Sequence, residues 1–574
     1  MKKYLLSILF AMFGIITYAQ NEPAITLTAK VEGKPLTLNF AVSEAGHKFK
    51  VDWGDGNLVE TEEIAVDDGW TTTTVTGIPL GEGKISVYGE KLVVLDCSYA
   101  ANDGTKLTAL DVTKATDLTK LTCNTHEITT LDVSKNVNLT ELVCSNNPIT
   151  SLDLSANTQL TSLDGTNMSL TEIDVTKNTA LKKLMLNDNQ IESIDLSANP
   201  ELSTLNINNN LLSEIDLSQN TALATVNIQS NKLSTLDLSM CDKLSVVFCN
   251  GNEITSLKVG SVKTRLNCSD NRLSLANLPL PGSKYFIYAP QKGMPVAQRI
   301  WPGETIDLSA QDNLTGLAAE AQKTTFVWKT GDTELQEGTD YTVENNVFTF
   351  LKAFDEPVYC EMATAAFPDF ADANIFKTEN VTVETEPELY LTLTAQVDGN
   401  ERNLTFASTT EANRIIVDWG DGKRVASEVI AMADEYGTTT TVTGTPAGEG
   451  HIKIYAREIS VFGCDSRVDG AQVTAINTSA ATDLRELNVY TNALKTLDLS
   501  QNANLEKLNC YNNSLEELDL TGNKKLTRLD AKDTPLAKID LSQNTELDYL
   551  SLNNCPIEAI DLSNNTKLSS LYLL

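Results

Sequence analysis

The chain has 574 residues, too many for one compact core, so several domains are expected. Its 41% hydrophobic content suits folded protein and argues against disorder. A net charge of −33, from 77 acidic and 44 basic residues, repels phosphate backbones and excludes nucleic acid as a partner.

Residues 1–19 read as an export leader: Lys2 and Lys3, an apolar run from Leu5 to Ile16, then Thr17-Tyr18-Ala19 before the cut. The run is too short to span a bilayer, and no later segment reaches transmembrane length. A secreted or cell-surface protein without an integral membrane span is expected. The short basic leader has a bacterial look.

Residues 24–90 alternate apolar and polar, as in Ile25-Thr26-Leu27-Thr28-Ala29, and predict a β-rich, sandwich-like N-terminal cap. Within it, Asp52-Trp53-Gly54-Asp55-Gly56 resembles a turn of polycystic-kidney-disease-type sandwiches over a short span.

From 91 to 278 a repeat takes over. A Leu/Ile-Asp-Leu/Val-Ser/Thr tetrad starts at Leu110, Leu131, Leu152, Ile173, Ile194, Ile215 and Leu236, each 21 residues after the last. Leu257 keeps the register but loses the Asp to Lys258. Each coil also holds a second motif, seen as Leu139, Leu142, Cys144 and Asn147. Its alternating segment predicts a short strand with one buried face, stacked into a parallel sheet about 4.8 Å per coil. Stacking is what gives such coils a core, because one coil cannot cover its own apolar side.

Residues 279–386 lack the repeat. Trp328, Tyr359 and Cys360 among alternating strands predict an immunoglobulin-like β-sandwich without its usual disulfide, with Trp328 and Cys360 packed in the core. Residues 387–460 duplicate the cap: Asp418-Trp419-Gly420-Asp421-Gly422 and Thr438 to Gly444 repeat Asp52 to Gly56 and Thr71 to Gly77. Residues 461–574 form a second array, with tetrads at Leu497, Leu518, Ile539 and Ile560 and a degenerate copy at Ile476. It is expected to be incomplete at its C-terminus, since Leu571 to Leu574 fall inside a strand.

The spacing L-x-x-L-x-C-x-x-N-x-I-T-x-L-D-L-S-x-N resembles internalin-like bacterial surface proteins, in the 21-residue leucine-rich-repeat class with a cysteine ladder. The resemblance spans both arrays and implies adhesion or protein binding without naming a partner. The expected fold is mainly β, with two leucine-rich-repeat arrays, each behind a cap, separated by the immunoglobulin-like domain.

Two columns are read as structural ladders. Asn147, Asn189, Asn210, Asn231, Asn252, Asn271, Asn492 and Asn513 are expected to turn inward and bond loop backbone, and the column fails at His126, Met168, Thr534 and Cys555. Cys97, Cys123, Cys144, Cys249, Cys268, Cys464 and Cys510 share a place that Leu186 and Ile207 fill in sister coils, so free buried thiols compete with a disulfide reading. A third column, Asp111 to Asp237, is open between a calcium ribbon and carboxylates that serve their own turns.

Nothing in the sequence predicts catalysis or a cofactor. The three histidines, His47, His126 and His451, share no ligand spacing, and nucleophile and phosphate-loop motifs are missing. The expected function is binding of an extracellular protein, from a host or a neighbour, through the sheet faces. A passive spacer and a glycan-binding module are the alternatives. Outward positions supply the candidate binding face. In array 1 the column after the inward Leu reads Thr122, Val143, Asp164, Met185, Asn206, Asn227 and Phe248. In array 2, Tyr490 and Tyr511 occupy outward places in adjacent coils, where they serve either a partner or cross-strand stability.

Overall fold

The computed structural model describes residues 22–69, 71–99, 104–280, 282–411, 413–428, 430–433, 437–464 and 472–573. The leader at 1–19 lies outside them. Contacts divide the chain into two units. Residues 308–327 and 360–379 group with 1–295, while 296–307 and 328–359 group with 380–574.

In the first unit, alternation makes the cap. Its strands are β1 (Ile25–Ala29), β2 (Leu36–Val42), β3 (Lys48–Asp52), β4 (Leu58–Glu63), β5 (Thr73–Gly77), β6 (Lys84–Tyr88) and β7 (Leu92–Asp96). Ile25, Leu27, Leu38, Phe40, Val51 and Ile85 from β1, β2, β3 and β6 are essentially unexposed, as period-2 patterning requires. The D-W-G-D-G stretch is a turn: Oδ1 of Asp52 accepts the amides of Gly54, Asp55 and Gly56. Trp53 then lies across Gly77, where a Cβ would stand 2.1 Å from the indole.

The cap fuses with the array at two places. β7 pairs in parallel with β9 (Lys120–Thr122), the first coil strand, with Leu95 opposite Leu121. β1 pairs antiparallel with β8 (Leu107–Asp111), which holds the first tetrad, with Leu27 opposite Leu110. The array therefore starts on a preformed sheet edge.

Coil strands are three residues long and pair in parallel at a shift of 21: Leu121 with Leu142, Leu142 with Leu163, Leu163 with Leu184. A constant shift stacks each side chain on its own equivalents, so one rule for burial serves every coil. Leu142, Leu163, Leu184 and Leu205 are unexposed. Truncating any of them to Ala would cost about 2–5 kcal/mol. The coil without the tetrad Asp is shorter: Val247 pairs with Leu266, 19 residues on.

Each coil turns through one residue at positive φ, among them Asn146, Asn167, Asp188, Asn209 and Asp270, with φ between 49° and 60°. Asn, Asp and Gly tolerate that region best, which accounts for the Asn doublets in the sequence.

The second unit repeats the plan. Leu393 pairs with Ile476 in the degenerate tetrad, and Phe462 pairs with Leu487 in the first coil strand. Parallel pairing continues at 21 to Leu550 with Leu571.

Tyr285–Ile287 pairs in parallel with Arg265–Asn267 and extends the array sheet past the expected boundary at 278, while the other strands up to 386 form small sheets. Thr305–Asp307, Tyr341–Glu344 and Val347–Phe350 make one of three strands. Trp328 is unexposed against Phe348 and Phe350, and Cys360 is buried, both as expected. Helix among the described residues is limited to three-residue 3-10 turns, and none is long and apolar enough to cross a membrane.

Candidate binding face

Behind the sheet face, amides hold the loops. In Asn147, Nδ2 donates to the carbonyls of Cys123 (2.9 Å) and Cys144 (3.0 Å), while Oδ1 accepts the Ile128 amide (3.1 Å). Asn189, Asn210, Asn231, Asn252 and Asn513 make the same three contacts. Each thus joins two coils and satisfies groups that would be costly to bury alone.

The sequence reading stopped this column too early. His126 makes two of the three contacts, the ones that join adjacent coils, with Nδ1 accepting the Leu107 amide at 3.1 Å and Nε2 donating to the Cys97 carbonyl at 2.5 Å. At the other end, Gln291 donates to the carbonyls of Cys268 and Tyr288 and accepts the Leu273 amide. Thr534 and Cys555 keep only donation, both to the Ala531 carbonyl, and Met168 meets the Cys144 thiol instead.

A second amide column was missed altogether. Asn136, Asn157, Asn178, Asn199 and Asn220, with Asn502, Asn523, Asn544 and Asn565, are buried in the turns after the tetrads. Asn157 donates to the carbonyls of Val133 (3.0 Å) and Asn136 (2.8 Å), and each later Asn repeats this on the coil before. The signal was the terminal N of L-D-L-S-x-N, recurring every 21 residues.

All ten cysteines are free, and all but the partly exposed Cys555 are buried. Burial pushes the Cys249 and Cys360 thiols up to about 12 and raises Cys97, Cys123, Cys144 and Cys510 as well. Such thiols behave as small hydrophobes.

In the Asp column, Oδ1 of Asp132, Asp153, Asp174, Asp195 and Asp216 accepts the amide two residues on. Those turn bonds, chiefly with Ser and Thr, hold the carboxylates below their usual range. Asp237, which also meets Lys258, falls to about 2. Among the described residues no group of three or more His, Cys, Asp or Glu is placed to hold a metal ion.

The face itself differs between arrays. In array 1, strand register puts Val143, Met185 and Phe248 in one half-buried column, but Asp164 separates the first two and Asn206 and Asn227 the last. They form no continuous apolar strip. Around them the surface is an amide lattice, with Asn206 donating to Asn187 and Asn227 to Asn208, both at 3.1 Å. The Arg265 guanidinium lies 5.3 Å from the Phe248 ring.

In array 2 the aromatic residues adjoin. Tyr490 and Tyr511 stack at 4.7 Å between centroids with 6° between planes, and the Lys532 ammonium sits 4.4 Å from the Tyr511 ring. The sequence reading overlooked a second group. The Arg528 guanidinium lies 3.7 Å from the Tyr549 ring, which is 5.5 Å from Tyr572. In the coils of the tyrosine stack Asn509 donates to Asn488, and Asn488 to Glu486. Tyrosines and cations so placed offer apolar area, hydroxyls and positive charge together.

The fold is a leucine-rich-repeat solenoid. No protein-family model matches the chain, and no curated protein matches its sequence. Solved structures do. The InlJ functional domain from Listeria monocytogenes, described as including a cysteine ladder, is 22% identical, with a TM-score of 0.28 over 82% of this chain. This chain spans 65% of the length of that domain. The leucine-rich-repeat protein LIC12759 of Leptospira interrogans is 17% identical, with a TM-score of 0.28, covering 80% of this chain and 86% of its own. The internalin InlF from Listeria monocytogenes is 15% identical, with a TM-score of 0.25, covering 81% and 84%. The solenoid itself rests on the parallel pairing of coil strands at a shift of 21 residues.

Proposed function

We propose that this is a non-catalytic, secreted or cell-surface protein that binds an extracellular protein through the sheet face of its second array. One observation carries the reading: Tyr490 and Tyr511 form a parallel stack capped by Lys532. Tyrosine is among the residues most enriched at binding hot spots, and a stacked pair loses little side-chain freedom on docking. The leader at 1–19 and the immunoglobulin-like character of 279–386 belong to the same proposal.

The amide lattice of array 1, running through Asn187, Asn206, Asn208 and Asn227, favours a spacer role for that array. Its side chains already bond one another and present no contiguous apolar patch.

The test compares capture of extracellular proteins by wild type and by Tyr490→Ala/Tyr511→Ala. A protein retained by the first and lost from the second supports the reading. Equal retention by both moves recognition off this face.

A further inference from the structure

The last three strands of the array 1 sheet carry a surface unlike the amide lattice before them. Val246–Phe248, Arg265–Asn267 and Tyr285–Ile287 pair in parallel. That register sets Val246, Arg265 and Tyr285 in one outward column and Phe248, Asn267 and Ile287 in the next. Arg265 and Tyr285 are exposed, while Val246, Phe248 and Ile287 are half-buried. The Arg265 guanidinium lies 5.3 Å from the Phe248 ring, and the Lys284 ammonium 5.3 Å from the Tyr285 ring. Apolar side chains thus gather about one guanidinium.

Charge sets this end apart. With two residues added on either side, the three strands hold the cations Lys263, Arg265 and Lys284 and no carboxylate. The chain as a whole has 77 acidic residues against 44 basic ones. Among the described residues Arg265 forms no ion pair, whereas Arg272, Arg299, Arg402 and Arg414 each meet a carboxylate.

Array 2 repeats the placement, with Arg528 opposite Tyr549 as Arg265 is opposite Tyr285. There the neighbouring cations are engaged, Lys507 with Glu486 at 3.1 Å and Lys532 with Asp530 at 3.6 Å. Of the two faces, the end of array 1 is the one with uncompensated positive charge.

From this surface we infer a second binding site, centred on Arg265, for an acidic protein segment whose carboxylate is flanked by apolar side chains. A guanidinium against an aromatic ring keeps N–H groups for a carboxylate, which it holds through two parallel hydrogen bonds. Lys263 and Lys284 raise the local attraction for acidic residues on either side. Phe248, Tyr285 and Ile287 take the apolar neighbours, and Tyr and Arg are the residue types enriched at binding hot spots. The aliphatic Val246 and Ile287 favour protein over an anionic glycan, whose surface is largely hydroxyl. The site goes beyond the array 2 reading and shares no residue with it.

The test is fluorescence anisotropy of the full chain at low salt, with labelled peptides that alternate Glu with Val, Leu or Phe. At least one should bind, its counterpart with Gln for Glu should not, and salt should weaken the complex. Arg265→Ala should lower affinity about tenfold or more, as loss of a hydrogen bond to a charged group does. Melting should not change, because the side chain is exposed. Arg265→Gln repeats the test should the alanine variant fail to fold. Tyr490→Ala/Tyr511→Ala should bind these peptides as wild type does, which separates failure of this site from failure of the array 2 face. Binding of none of the peptides overturns the proposal. So does equal affinity of wild type and the folded Arg265 variants. Heparin that displaces the peptide at lower concentration than unlabelled peptide does also overturns it, and assigns the patch to an anionic glycan.

Discussion

The Leu107 amide donates to Nδ1 of His126, the bond that the Ile128 amide makes to Oδ1 of Asn147 one coil later. Holding both contacts requires a neutral ring with its proton on Nε2. Burial lowers the His126 pKa below its ordinary value. The folded state therefore prefers the neutral form. Its contribution is full above the unfolded value of about 6.5 and is lost as pH falls from there toward the folded value. Melting curves of wild type and His126→Asn should differ in pH dependence below about pH 6.5 and run parallel above it. Identical curves throughout would place no proton-sensitive bond at this ladder end.

Removing an interior rung should be costly. Asn210→Ala strips the Ile191 amide and the Leu186 carbonyl of their shared partner inside the solenoid. A loss of about 1–3 kcal/mol in denaturant unfolding is expected, from the buried Ile191 amide left unpaired, while the Leu186 carbonyl keeps Asn189. Asn178→Ala in the second column should fall in the same range. Asn209→Gly, at a φ of 54°, should cost little, because glycine accepts that conformation.

Thiol titration separates packing from cross-linking. Ten free thiols should appear in denaturant without reductant, and the native protein should react slowly, since burial keeps Cys97, Cys123, Cys144 and Cys249 protonated. Recovery of only a few thiols would mean that the ladder is oxidised.

Acid should weaken the Asp turns without any role for metal. Their folded pKa values are lowered, so the stability they add is present above the unfolded carboxylate value of about 3.9 and fades as pH falls through the folded ones. Calcium and chelator should leave the melting temperature at neutral pH unchanged. A calcium-dependent rise would show that the column binds the ion.

Tyr490→Ala with Tyr511→Ala should weaken partner binding by about 2 kcal/mol or more, the hot-spot threshold, with little change in melting temperature. A variant that melts much earlier yet binds normally would make the stack architectural.

The solenoid was legible because a fixed period turns burial into arithmetic, and Leu142, Leu163 and Leu184 lie where that arithmetic put them. The ladder ends were not, because a ladder is conserved as a hydrogen-bond pattern. His126 and Gln291 reproduce it with different atoms. Asn157 escaped notice because periodicity tells which residues share a column, and an amide in a turn reads as solvated. On the candidate site, the Tyr490 and Tyr511 stack followed from spacing alone. The Arg528 and Tyr549 contact required knowing which columns lie side by side on the face.

β7 is at once the last antiparallel strand of the cap and the first parallel strand of the array, by its pairing with β2 and β9. A cut between cap and coils would expose hydrogen-bonding edge on both products. The smallest portable piece of this chain is therefore a cap together with its coils, and the chain carries that piece twice. Exchange of whole pieces, or of whole 21-residue coils, keeps every ladder in step, and the 19-residue coil that carries the ladder from Asn252 to Asn271 shows that the loops absorb a change in length.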